Sequence, residues 1–232
     1  MPPDANTLTW LDKQLRSTRG TPWRLGSYHA NVRDQRLQYW KAHPEYIDSW
    51  RTDVAEETED KTALGRILSL TNEELLTHAR ESYDQFLERA VQEFNSNRSY
   101  VEKCMGFKRL IDVVQDKSGK GDPVVFLEEY ARSVLGYYRL HMLNTFYHNA
   151  IGASIRIYEV RAATGQLPAL LPDDVPEDPY TGKELGYERT EDGFVLRSGV
   201  KPLDQSTAVE CRFAVRHQGE DAKQGEGDSH VF

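Results

Sequence analysis

At Gly165 the chain changes rhythm, and few folds can accommodate the change. Before it, Leu135, Tyr138, Met142, Phe146, Ala150, Ala153, Ile157 and Val160 recur every three or four residues. That spacing puts them on one face of a helix. After it, Leu185 and Tyr187, then Phe194 and Leu196, alternate with polar residues. Val209, Cys211, Phe213 and Val215 alternate with Glu210, Arg212, Ala214 and Arg216, the period of a strand with one buried face. Gly165 can adopt the left-handed conformation that closes a helix, and Pro168 prevents the helix from resuming. "TEDG" (Thr190–Gly193) supplies the turn of a hairpin. The expected class is therefore α+β: mostly antiparallel helices, with one long helix leading into a small C-terminal antiparallel β-sheet.

The helical part carries its own start and stop signals. Asp122 before Pro123 reads as an N-cap followed by proline at the first helical position. A helix from there to Ala163 would span about 60 Å, with Gly136 and Gly152 as points of bending or close packing. Upstream, "TNEE" (Thr71–Glu74) and "SYVE" (Ser99–Glu102) are capping boxes. Behind the first, Leu75, Ala79, Tyr83, Phe86, Ala90 and Phe94 form one stripe, ended by "NSN" (Asn95–Asn97). Behind the second, Val101, Cys104, Phe107, Ile111 and Val114 form another. The short break between them predicts an antiparallel pair. Three regions result: an aromatic-rich helical segment over 1–60, a helical body over 61–165, and a small β unit with a polar tail over 166–232. Trp10, Trp23, Trp40 and Trp50 all fall in the first, as ring anchors with arginine stems laid over them.

The chain has 232 residues and a formal net charge of -8, with the acidity gathered in residues 51–100 and 166–232. An acidic chain without a basic block repels phosphate backbones, so no nucleic-acid partner is expected. No run reaches the ~20 apolar residues of a membrane helix, and "MPPDANTLTW" lacks the organisation of a signal peptide. The expected location is cytoplasmic, or envelope-associated if an anchor once preceded the chain. Cys104 and Cys211 make neither a CxxC pair nor a metal spacing and are expected to fill core space.

The stretch "RIYEVRAATGQLP", followed by "DPYTGKELGYERTEDGFVLRSG", resembles the C-terminal segment of a bacterial protein family common in planctomycetes. That segment is in turn similar to the globular part of type II secretion pseudopilins of the G class. The positions that carry the likeness are Gly165, Leu167, Pro168, Asp178, Pro179, Tyr180, Gly182, Tyr187, Gly193, Phe194, Ser198 and Gly199. It extends over about residues 64–232 and is strongest over 155–199. The hydrophobic N-terminal helix with which a pseudopilin enters its fibre has no counterpart here. What the resemblance implies is the fold of the C-terminal unit. Tyr180 and Phe194 are expected to pack the sheet onto the end of the long helix.

Asp173, Asp174, Glu177 and Asp178 could offer oxygens to calcium, and G-class pseudopilins resemble this chain in having such a C-terminal loop. The spacing is not that of an EF-hand, and a solvated acidic turn is the plainer reading. In that reading Asp178 bonds backbone N–H groups just past Pro179. His141 and His148 stand seven apart, unlike helical zinc ligands. Glu128, Glu129 and Glu159 lack the ExxH spacing of carboxylate-bridged iron sites, and "GKG" near Lys120 does not match a phosphate loop. No catalytic constellation or cofactor motif is recognised. The expected function is that of a non-enzymatic structural or protein-interaction protein with an unidentified protein partner. The alternatives are a calcium-dependent docking module, and an enzyme whose site lies between the long helix and the sheet.

Overall fold

A computed structural model describes residues 25–57, 61–120, 122–202 and 207–215. Trp10, Trp23, Arg216 and the closing "HVF" lie outside the described residues. Among the described residues six α-helices precede a three-stranded sheet: α1 (Leu25–Ala42), α2 (Pro44–Glu57), α3 (Lys61–Ser69), α4 (Asn72–Asn95), α5 (Tyr100–Gly119) and α6 (Glu128–Thr164). The strands are β1 (Gly186–Thr190), β2 (Gly193–Arg197) and β3 (Glu210–Ala214). The class is α+β. No helix among the described residues is long and apolar enough to cross a membrane. The chain forms two compact units, one reaching to His141 and the other beginning at Met142.

In the first unit the capping boxes set the two central helices. Thr71 Oγ1 accepts from Glu74 N–H at 3.2 Å, and the Glu74 carboxylate accepts from Thr71 N–H at 2.7 Å. Ser99 and Glu102 repeat the exchange, with Ser99 N–H donating to Glu102 Oε2 at 2.9 Å. In α4 the expected face is inside: Leu75, Ala79, Tyr83, Phe86 and Ala90 are buried, while Phe94 is half-buried. In α5 the stripe begins one residue earlier than the spacing suggested. Tyr100 is buried and Val101 is exposed, with Cys104, Phe107, Ile111 and Val114 following. The cause is a ring cluster: Tyr138 of α6 is met by Phe94, Tyr100 and Phe107 at centroid distances of 5.6, 5.8 and 5.0 Å. Large rings at such separations add to area burial, so Tyr100 is drawn inward at the expense of Val101. Gly106 lets the Glu93 side chain lie against the α5 backbone where a Cβ would collide with it.

The long helix does not begin as a plain α-helix. Asp122 Oδ1 accepts from Val124 N–H at 2.9 Å, as an N-cap should, but Pro123–Leu127 first form a 3₁₀ turn. Here too the buried line is displaced: Ala131 and Val134 are buried and Leu135 is half-buried. The 3₁₀ entry buries Val124, Phe126 and Leu127 and so fixes the rotation at which α6 leaves it. From Tyr138 to Ile157 the expected face holds, while Val160 is half-buried. Neither Gly136 nor Gly152 interrupts the helix.

In the second unit Gly165 closes α6 with φ +78°, its N–H donating to Arg161 O at 2.7 Å. The three strands pair in the order β1-β2-β3, both pairings antiparallel. Thr190 pairs with Gly193 at the hairpin end, and Phe194 pairs with Phe213 on β3. β3 alternates as expected, with Glu210, Arg212 and Ala214 exposed. β2 does not: Phe194, Val195 and Leu196 are all buried. It is the central strand. Its second face lies under an ion-pair row in which Arg197 meets Glu188 of β1 at 2.6 Å and Glu210 of β3 at 3.1 Å. Tyr158 of α6 contacts Phe194 at 5.5 Å and donates through Oη to Ala214 O at 3.1 Å, tying helix to sheet.

Candidate functional site

The acidic loop resolves into four carboxylates with different surroundings. Asp173, Asp174 and Glu177 are exposed, and Asp178 is fully buried. Asp174 pairs with Arg156 of α6, which also bonds Glu159. Glu177 is held through its backbone, its carbonyl accepting from Asn149 Nδ2 at 2.7 Å. Asp178 is the most heavily bonded of the four. Its Oδ1 accepts from Tyr180 N–H at 3.0 Å, the expected Asx turn across Pro179. Its Oδ2 accepts from Thr181 Oγ1 at 3.0 Å, from Ser198 Oγ at 3.0 Å and from Gly199 N–H at 2.8 Å.

The backbone around Asp178 completes the arrangement. Its N–H donates to Lys183 O at 2.7 Å, and its carbonyl accepts from Gly182 N–H at 2.8 Å. Gly182 closes this turn at φ +64°, a conformation costly for residues with a Cβ. Gly199 brings its N–H close, and a Cβ there would press on the Thr181 methyl at 3.2 Å. Tyr180 is buried, its ring 6.3 Å from Phe146, and Tyr187 Oη donates to Pro168 O at 2.9 Å. Thus Asp178, Tyr180, Thr181, Gly182, Ser198 and Gly199 are tied to one another, Tyr187 is joined to Pro168, and Gly165 stands apart at the end of α6. A buried carboxylate is costly unless its lone pairs are filled, and here protein donors fill them.

Among the described residues no group of three or more His, Cys, Asp or Glu side chains is placed to hold a metal ion. Calcium bound through Asp178 would have to draw it from its four donors, and calcium bound through Asp174 would have to draw it from Arg156. His141 is half-buried, and burial lowers its pKa. Cys104 and Cys211 are both free thiols. Cys104 is buried, whereas Cys211 is half-buried, and burial raises its pKa away from a reactive thiolate.

Two features of the first unit had no signal in the sequence. His29 of α1 is fully buried, Nδ1 at 3.0 Å from Tyr83 Oη, with Tyr28 and Tyr137 edge-on to its ring. Burial lowers its pKa from 6.5 to about 4. Because the unfolded chain takes up a proton near pH 6.5 and the folded chain does not, stability attributable to His29 is complete above pH 6.5. It is lost as pH falls toward 4. Melting temperature followed across that window should decline less steeply in His29→Leu than in the wild type. Equal slopes would show that the imidazole is not a main acid-sensitive group. The other feature is a groove of about 550 Å³ between α1, α2 and α4, floored by Leu37, Ile47 and Leu76 and edged by Lys41, Glu73 and Arg80. Its lining contains neither histidine nor cysteine.

The loop also yields a contrast between two substitutions. Gly165→Val forces a β-branched residue into a left-handed conformation and should cost about 1–2 kcal/mol in a denaturant melt. Asp173→Asn alters an exposed side chain and should change stability by less than about 0.5 kcal/mol. Similar losses from both would contradict the division between frame and surface drawn here.

No family model, curated protein or solved structure matches this chain.

Proposed function

We propose that this protein acts without catalysis, as a structural or interaction module in which a helical body carries a rigid, pseudopilin-like β unit. The observation that carries the reading is Asp178. The most enclosed carboxylate of the acidic loop is committed to Tyr180, Thr181, Ser198 and Gly199, so its chemistry goes into holding one backbone shape. Shape held this firmly suits recognition by another protein, where preorganisation reduces the ordering cost of binding. The resemblance to G-class pseudopilins adds a setting: the partner belongs to a bacterial envelope or secretion assembly. Recognition would use the exposed face of the acidic loop and the outer side of the sheet.

The test compares the intact chain with Asp178→Asn in affinity capture from native extract, with helix content checked by circular dichroism. A partner retained by the wild type and lost by the variant at equal helix content is expected. Turnover in an unbiased substrate screen, abolished by one polar substitution in the groove of the first unit, would overturn the proposal.

A further inference from the structure

The groove of the first unit lies where α1 gives way to α2 and α4 passes beside them. Asp34 pairs with Arg80 and Arg33 with Asp84, so α1 and α4 run antiparallel. The end of α1 therefore stands beside the start of α4. Helix ends favour opposite charges, cations at a C-terminus and anions at an N-terminus. Lys41 lies in the last turn of α1 and Glu73 in the first turn of α4, and both line the groove. They do not pair with each other. Among the described residues neither has a hydrogen-bond or ion-pair partner. A cation and an anion are thus left open over one apolar floor, in which Leu37 and Ile47 are buried and Leu76 is half-buried.

A third polar group is held in place. Arg51 of α2 donates through Nη2 to Asn72 Oδ1 at 3.0 Å and to Leu70 O at 2.5 Å, and through Nη1 to Ile67 O at 3.2 Å. With its amide oxygen taken, Asn72 offers the groove Nδ2, a donor whose direction Arg51 sets. Arg80, farther along α4, is engaged by Asp34 at 3.2 Å. The groove holds about 550 Å³, within the ~300–1,000 Å³ of small-ligand pockets. Its complement carries a carboxylate, an ammonium beside it and an apolar body. A fatty anion would set its head group against Glu73, and a simple amine would set its own against Lys41. In a peptide the charged termini stand at opposite ends, whereas a free α-amino acid bears both charges at one carbon.

We propose that this groove binds a free α-amino acid with an apolar side chain. Lys41 Nζ and Asn72 Nδ2 donate to the carboxylate, Glu73 accepts from the ammonium, and Leu37, Ile47 and Leu76 receive the side chain. The site does not depend on the role of the β unit, and its failure would leave the proposed function standing.

Isothermal titration of the full chain with L-leucine should show saturable binding. L-leucinamide lacks the carboxylate and N-acetyl-L-leucine lacks the ammonium. Each should bind about tenfold more weakly or worse, the effect of losing one charge-assisted hydrogen bond. Lys41→Gln should weaken L-leucine by a similar factor yet leave L-leucinamide unchanged. Glu73→Gln should likewise weaken L-leucine and leave N-acetyl-L-leucine unchanged. Both side chains are exposed, so far-UV circular dichroism should match the wild type. Lys108→Gln, on the exposed surface of α5, should bind L-leucine normally. Absence of binding heat with L-leucine up to about 10 mM rules the site out. So does equal affinity for L-leucine and L-leucinamide, or wild-type affinity in both groove variants.

Discussion

Replacing Asp178 with asparagine should destabilise the C-terminal unit by about 3 kcal/mol, while most of the helical signal remains. The substitution keeps the size of the side chain but removes its charge and one acceptor. Tyr180 N–H can still donate to the amide oxygen, but Thr181 Oγ1, Ser198 Oγ and Gly199 N–H then face an –NH₂ group. Hydrogen bonds to a charged acceptor contribute roughly 1.5–3 kcal/mol each, and a buried donor left unpaired costs about 1–3 kcal/mol. Partial relaxation around Gly199, which is exposed, keeps the total below the sum. Amide exchange at Tyr180, Gly182 and Gly199 should accelerate in the variant under conditions where helical circular dichroism is still unchanged. Wild-type-like behaviour of Asp178→Asn would show that the four contacts hold nothing that matters.

Gly193→Ala should be at least as damaging, about 3 kcal/mol or more. Gly193 opens β2 opposite Ala214, and a methyl group there would lie inside the van der Waals envelope of the Phe213 carbonyl oxygen. The obstacle is backbone, so no side chain can rotate away. β3 would have to move off β2, breaking the stack of Phe194 on Phe213 at 5.0 Å and the Tyr158 bond to Ala214 O. Amide exchange in β3 should accelerate, together with a lower melting temperature. Retention of slow exchange at Cys211 and Phe213 would refute this account of the glycine.

The local signals in the sequence were the dependable ones. Thr71 with Glu74, Ser99 with Glu102, Asp122 before Pro123 and Gly165 each act within four residues, and each stands where the spacing placed it. Burial was legible to within one residue of rotation. Val101 and Leu135 were expected inside, but Tyr100 and Val134 occupy those places, because ring packing around Tyr138 and the 3₁₀ entry turn are not written in a hydrophobic period. The Asx turn at Asp178 was readable because Tyr180 is two residues away. Ser198 and Gly199 could be noted as pattern positions, but their bonds to Asp178 span 20 and 21 residues, and no spacing rule reaches so far. The enclosure of β2 on both faces depends on Arg197 drawing Glu188 and Glu210 over Val195, which only strand order reveals. His29 sits in a helix with little amphipathic contrast, so nothing marked it as buried.

One carboxylate joins a turn at 178 to the end of a hairpin at 199. The intervening segment is therefore closed on itself like a clasped bracelet. Opening either end releases both, so this region should come apart in one all-or-none event. A protease nick in its exposed hairpin tip would leave the two fragments bound to each other until that clasp gives way.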